Sequence, residues 1–190
     1  FIKTPLRRGI KNRQELGYNY RMTVIVGITS GKNIYMGADR GASDEESIVS
    51  LSRPKIHIRD GWIFGYSGSL GTGQLLEIID LPIPNDDVYR LIRKDIVYEL
   101  KAAIEDYGNN DSDHTADFLI GANGMLFEFN TSDWSVAEVK ESAVGSGGPF
   151  ALGSLYTSKH PLVEDRIDLA VQSAINYSPT CQGPIDILKL

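Results

Sequence analysis

Three polar residues carry the first chemical signal: Thr23, Asp39 and Lys55, each sixteen positions after the one before. A threonine hydroxyl is a weak nucleophile until a base takes its proton, and a threonine at a chain start can use its own α-amine as that base. Such an amine has a pKa of roughly 7.7–8.0, so a useful fraction is neutral near pH 7. A lysine ammonium close by disfavours a second positive charge and lowers that pKa further. A half-buried lysine needs a carboxylate to hold it, and Asp39 can supply one. Taken singly, each residue has a plainer role, because threonine is common in strands, aspartate ends strands and lysine guards edges. Only their convergence makes the chemistry, which would be acyl transfer to a hydroxyl.

Convergence needs strands that return their ends to one sheet edge. Thr23–Thr29 is rich in β-branched residues and reads as a strand, with a turn at Ser30-Gly31-Lys32-Asn33 and a returning strand at Ile34–Ala38. Asp39 ends that return. Lys55–Ile58 and Trp62–Tyr66 flank Asp60-Gly61, a strong hairpin signal. A helix opening near Ser69 is expected to run through Gln74–Asp80. The acids after Pro84 suit a helix entrance, and apolar residues from Val88 to Tyr107 then recur at helical spacing. Ala116–Gly121 and Met125–Asn130 form a second hairpin around Asn123-Gly124, and Trp134–Val139 adds a strand. Helices follow from Pro149 and over Leu162–Tyr177, and Pro184–Leu190 closes as a strand. Runs of strands and runs of helices are segregated. They predict an α+β protein built as a four-layer αββα sandwich, two packed sheets with a helix pair outside each.

Two glycine-rich segments sit at strand-to-helix junctions. At Ser67-Gly68-Ser69 a glycine lets backbone N–H groups approach a substrate, as an oxyanion hole requires, although a plain turn has the same composition. In Gly145-Ser146-Gly147-Gly148, Ser146 is placed either to hydrogen-bond a terminal amine or to cap the next helix. Neither segment is a phosphate loop, since G-x-x-x-x-G-K-[ST] and G-x-G-x-x-G are both missing. A G-x-S-x-G elbow is missing too. His57, His114 and His160 show no metal-ligand spacing, and a lone Cys181 in a turn reads as inert. No metal or organic cofactor is expected.

The 190 residues suit one domain. A net charge of −6 argues against a nucleic-acid-binding domain, and no apolar run approaches the ~20 residues that span a bilayer. Charge is unevenly placed. Residues 1–22 hold six basic side chains against Glu15, a balance of +5 that leaves −11 for residues 23–190. The basic stretch lacks the apolar core of a secretory signal and reads as a propeptide, a basic arm or a non-native extension. Met22 stands directly before Thr23, so initiation at Met22 with methionine removal would expose the threonine amine.

The order Thr23-Val-Ile-Val-Gly27, Gly37-Ala-Asp39-Arg40, Pro54-Lys55-Ile56, Ser67-Gly68-Ser69, Gly145-Ser-Gly-Gly148 and Ala151-Leu-Gly153 resembles that of proteasome β-type subunits. It is similar also to the peptidase subunit of the bacterial HslUV protease and to small proteasome-like proteins of bacteria and phages, all N-terminal nucleophile hydrolases. The resemblance runs from Thr23 to Leu190. It implies threonine-type hydrolysis of peptide bonds, with Thr23 as nucleophile and its freed α-amine as general base. Lys55 would tune the amine, Asp39 hold Lys55, the Gly68 N–H form the oxyanion hole and Ser146 support the amine. Ser43 matches a position whose backbone pairs with an extended substrate. One motif departs: where the family carries D-x-x-S-G, this chain reads Ser178-Pro-Thr-Cys181-Gln-Gly183. Support of the amine from those two positions therefore does not carry over.

The resemblance further implies a cytoplasmic homo-oligomeric ring acting on peptides or unfolded proteins, with an ATP-dependent unfoldase as partner and no membrane or nucleic acid. A different reading keeps residues 1–22 attached. Thr23 is then an internal strand residue of a catalytically silent ring or scaffold subunit, and the basic leader is an interaction arm. A third keeps the chemistry and takes a small amide as substrate.

Overall fold

The computed structural model describes residues 23–43, 47–107 and 115–190. The basic leader 1–22, with Met22, and His114 lie outside the described residues.

The first sheet is built on a hairpin of β1 (Ile25–Ser30) and β2 (Asn33–Asp39), closed by a turn in which Gly31 takes φ +61°. The register sets Ile25 opposite Ala38, which brings the residues before β1 back to Asp39. The sixteen-residue gap between Thr23 and Asp39 is closed by this local geometry alone. Strand order is β10 (Glu141–Val144), β1, β2, β11 (Ile185–Lys189), all antiparallel. A short ribbon of β3 (Gly41–Ser43) and β4 (Ile48–Ser50) stands beside it.

The second sheet runs in sequence order: β5 (Ile56–Arg59), β6 (Trp62–Gly68), β7 (Ala116–Ala122), β8 (Met125–Asn130) and β9 (Val136–Val139). Both expected hairpin turns form. Asp60 and Gly61 take φ +53° and +82°, Asn123 and Gly124 take +52° and +77°, and Asn, Asp and Gly tolerate that region best.

Alternation along the strands sorts side chains into three apolar layers. Val24, Val26 and Ile28 face α4 (Gly148–Thr157) and α5 (Val163–Tyr177), where they meet Ile167, Ala170 and Val171. Ile25, Ile34 and Met36 face the other sheet and pack on Ile56, Ile63, Leu119 and Leu126. The far side of the second sheet, with Phe64, Phe118 and Phe127, is covered by α1 (Leu70–Leu75) and a long helical segment. That segment starts as α2 (Val88–Arg90), widens into a π-helical stretch (Leu91–Ile96) and continues as α3 (Val97–Asp106). The expected four-layer αββα sandwich is therefore the architecture observed.

Two expected boundaries move. The helix expected to reach Asp80 stops at Leu75, and a chain of turns follows. The Arg59 guanidinium holds the carbonyls of Glu77 and Ile79 at 2.6 and 2.5 Å, so two turn carbonyls are satisfied by a side chain instead of a continuing helix. The strand expected from Trp134 begins at Val136, because Trp134 takes φ +61° in a turn.

Candidate active site

Thr23, Asp39 and Lys55 meet in one buried cluster at the edge of the space between the sheets. Thr23 stands two residues before the start of β1, and Asp39 is the last residue of β2. Lys55 directly precedes Ile56, whose side chain packs between the sheets. The chain thus pins the lysine stem by burying its neighbour.

The Thr23 hydroxyl donates to Asp39 Oδ1 and accepts from Lys55 Nζ. Lys55 Nζ also donates to Asp39 Oδ1 at 2.8 Å and to the Gly41 carbonyl at 2.6 Å. Asp39 is fully buried and accepts widely. Val24 N–H reaches Oδ1 at 3.0 Å, while Gly41 N–H and Gln182 N–H each reach Oδ2 at 2.9 Å. Those donors stabilise a charged carboxylate inside the protein. Burial pushes the Lys55 ammonium below the usual lysine value, and the charge of Asp39 opposes that shift without cancelling it.

Two glycines shape the walls. Gly68 takes φ +86°, and a β-carbon there would lie 2.6 Å from the Thr115 carbonyl oxygen. Gly145 takes φ +93°, and a β-carbon there would lie 2.2 Å from the Thr23 carbonyl oxygen. The same carbonyl accepts from Gly147 N–H at 3.2 Å. The glycine-rich segment before α4 therefore clamps the backbone of Thr23. A shallow cleft opens over the cluster, lined by Thr23, Gly41, Ala42, Lys55, Ser67 and Gly68. Ser43, at the end of β3, is buried, and the hydroxyls of Ser43 and Ser67 have no hydrogen-bond partner among the described residues.

Of the six residues singled out from the sequence, Thr23, Asp39 and Lys55 are in direct contact and Gly68 lines the same cleft. Ser146 does not cap α4, whose N-cap is Gly147 without a side-chain bond. Its hydroxyl instead lies 2.7 Å from Thr180 Oγ1, which lies 2.7 Å from Ser178 Oγ. Thr180 was invisible from sequence, because only the fold of the last turn brings it to Ser146. Arg40 was missed as well. Its guanidinium makes a two-pronged bond to Asp186, 2.7 Å on each side, and a third bond to the Ser52 carbonyl at 2.9 Å. It ties β11 to the segment that leads into Lys55. Arg40 follows Asp39 directly and Asp186 sits in the last strand, so only the β2–β11 pairing could have signalled it.

Cys181 is buried, and burial together with nearby Asp39 pushes its thiol up, which opposes a thiolate. Among the described residues no group of His, Cys, Asp and Glu is arranged to hold a metal ion, and no helix is long and apolar enough to cross a membrane.

Neither a scan of protein-family models nor a search of curated proteins finds a match. Solved structures do match. BPH of Thiobacillus denitrificans superposes with a TM-score of 0.75 at 22% identity, over 88% of this chain and 97% of that one. The same protein in complex with epoxomicin gives 0.75 at 20% identity, over 88% and 98%. HslV from Trypanosoma brucei gives 0.64 at 17% identity, over 88% and 99%. At these identities the likeness is one of fold, and it extends over nearly the whole of each neighbour. The chain has the four-layer fold of N-terminal nucleophile hydrolases, in the proteasome-like form shared by BPH and HslV.

Proposed function

We propose that this protein is a threonine-type peptidase that uses Thr23 once residues 1–22 are gone. The observation that carries the reading is the single buried contact of the Thr23 hydroxyl, the Lys55 ammonium and the Asp39 carboxylate at the floor of a cleft. The freed α-amine of Thr23 takes the hydroxyl proton, and Oγ1 attacks a peptide carbonyl. The tetrahedral oxyanion is held by the Gly68 N–H. The amine then protonates the leaving nitrogen, which departs and leaves an ester on Thr23. Water, deprotonated by the same amine, attacks the ester and releases the acid. Lys55 keeps the amine neutral by its charge, and Asp39 fixes Lys55. Ser146 orients the amine. Ser43 and the β3 backbone take the substrate as an added strand, so recognition is largely main-chain. Peptides or unfolded proteins are the substrates, in a homo-oligomeric ring fed by an ATP-dependent unfoldase.

The second reading is a silent ring or scaffold subunit that keeps its leader. It draws on two features. The Thr23 hydroxyl already donates to Asp39, and the Ser146 hydroxyl engages Thr180. Both leave the cluster internally satisfied.

One experiment separates the two. Protein purified from its natural source is weighed intact, then treated with epoxomicin, the compound bound in the BPH complex. The peptidase reading expects a chain beginning at Thr23 that gains the mass of one epoxomicin, and no gain in Thr23→Ala. A chain that retains residues 1–22 and gains nothing establishes the scaffold reading.

A further inference from the structure

Beside the cleft over Thr23 lies a second hollow of about 130 Å³, and Tyr66 and Leu70 line both. Leu51 adds a third apolar wall, while Arg53, Gln74 and Glu77 supply the polar lining. A side chain entering from the Thr23 side would therefore find hydrocarbon walls together with a carboxylate.

Glu77 is held firmly. Arg59 anchors the backbone at and just after it, at the carbonyls of Glu77 and Ile79. The Tyr66 hydroxyl donates to Glu77 Oε1 at 2.6 Å. The other neighbours offset its charge poorly. Arg53 lies 3.5 Å from Oε2, but its side chain is 80% exposed against 16% for Glu77, so its charge belongs to water. His57 Nε2 lies 3.4 Å from Oε1, and burial pushes the imidazole below its ordinary value, so it brings no charge near pH 7. The ring stacks on Tyr66 at 6.1 Å and is fixed there.

We propose that this hollow receives the substrate side chain next to the bond that Thr23 attacks, and that Glu77 selects a long, unbranched side chain ending in a cation, lysine or arginine. The proposal rests on the peptidase reading for its link to Thr23, and on the Glu77 geometry for its chemistry. An acidic side chain would set its carboxylate against Glu77, which like charges oppose. An apolar one would strip water from Glu77 and give nothing back. A lysine stem instead packs on Tyr66 and Leu70 and delivers its ammonium to a fixed acceptor.

The test reads binding, so that it does not depend on turnover. Full-length Thr23→Ala protein is titrated calorimetrically with three N-acetylated tripeptide amides that differ only in the last residue: lysine, norleucine or glutamate. Norleucine keeps the lysine stem and lacks the ammonium. The lysine peptide is expected to bind tighter than the norleucine peptide on the order of tenfold or more, the effect of one charge-assisted bond. That ratio is expected to collapse in Glu77→Gln and to change little in Arg53→Ala, whose exposed charge is screened by water. Equal binding of lysine and norleucine, tightest binding of glutamate, or no measurable binding of any peptide overturns the proposal. The wild-type pocket supplies the main comparison, so a poorly folded Glu77 variant does not blunt it. A lysine preference in a chain that epoxomicin fails to label would sink the peptidase reading and leave the subsite standing.

Discussion

Asp39 Oδ1 is a shared acceptor: Lys55 Nζ lies 2.8 Å from it, and the Thr23 hydroxyl donates to the same atom. Removing that carboxylate strands a buried ammonium and frees the N–H groups of Val24, Gly41 and Gln182. Asp39→Ala is expected to cost about 3–5 kcal/mol of stability in urea denaturation, the range for leaving a buried charge unpaired. The double variant Asp39→Ala, Lys55→Met removes both charges and is expected to recover part of that loss. A single variant within about 1 kcal/mol of the parent contradicts the description of a buried pair.

Lys55 makes a prediction about alkaline pH. Burial sets its folded pKa below the ordinary value of 10.5. Between that lowered value and 10.5, the unfolded chain holds a proton that the folded chain has released. Unfolding then takes up a proton, so folded stability rises with pH through this window. Below it both states are protonated, and the penalty of the buried ammonium is constant. The stability of the parent minus that of Lys55→Met should therefore climb with pH in the alkaline range and level off above the ordinary lysine pKa. Urea curves at stepped pH measure it, and a difference that falls as pH rises shows the wrong sign.

Gly145 and Gly153 offer a matched pair. An alanine at Gly145 would need φ +93° and would press its β-carbon on the Thr23 carbonyl oxygen, 2.2 Å away. The left-handed backbone alone costs roughly 1–2 kcal/mol, before the clash is counted. Gly153 lies inside α4 with nothing within 4 Å of where its β-carbon would stand. There alanine should stabilise by about 0.5–1 kcal/mol, since it loses less backbone freedom on folding. Thermal melts of the two variants are expected to move in opposite directions. If Thr23 is the nucleophile, Gly145→Ala should also slow epoxomicin labelling, because it displaces the Thr23 backbone.

What the sequence disclosed was mostly local. The turns at Asp60-Gly61 and Asn123-Gly124 name their own geometry, so both hairpins were legible. The β1–β2 hairpin returns Asp39 to Thr23, so that contact followed from strand periodicity and one turn. Lys55 could be placed because it opens a strand whose next residue is apolar. Contacts between distant segments were not legible. Glu77 falls within the helix expected over Gln74–Asp80, and only the early stop of α1 and the reach of Arg59 turn it toward the second hollow. Strand β10 and the ribbon β3–β4 are three or four residues long, too short for a two-residue period to register. Arg40 and Asp186 are 146 positions apart and meet only through the register of the last strand.

Thr180 is the residue whose role the fold revealed, and it sits in the motif where this chain departs from the D-x-x-S-G pattern. Its hydroxyl lies 2.7 Å from both Ser146 Oγ and Ser178 Oγ. A hydroxyl has one proton to give and two lone pairs, so Thr180 can donate to one serine while accepting from the other. The result is a three-hydroxyl chain running from the buried Ser178 to Ser146, one residue from the clamp on Thr23. Thr180→Val keeps the shape and deletes the shared oxygen. It is expected to cost about 1–3 kcal/mol, because Ser178 is left buried without that partner. If Ser146 orients the Thr23 amine, Thr180→Val should also slow epoxomicin labelling and shift its pH midpoint. Thr180→Ser restores the oxygen and should restore both the rate and the midpoint. A purely structural role would lower stability without moving the midpoint, and equal behaviour of the valine and serine variants would remove Thr180 from the site altogether.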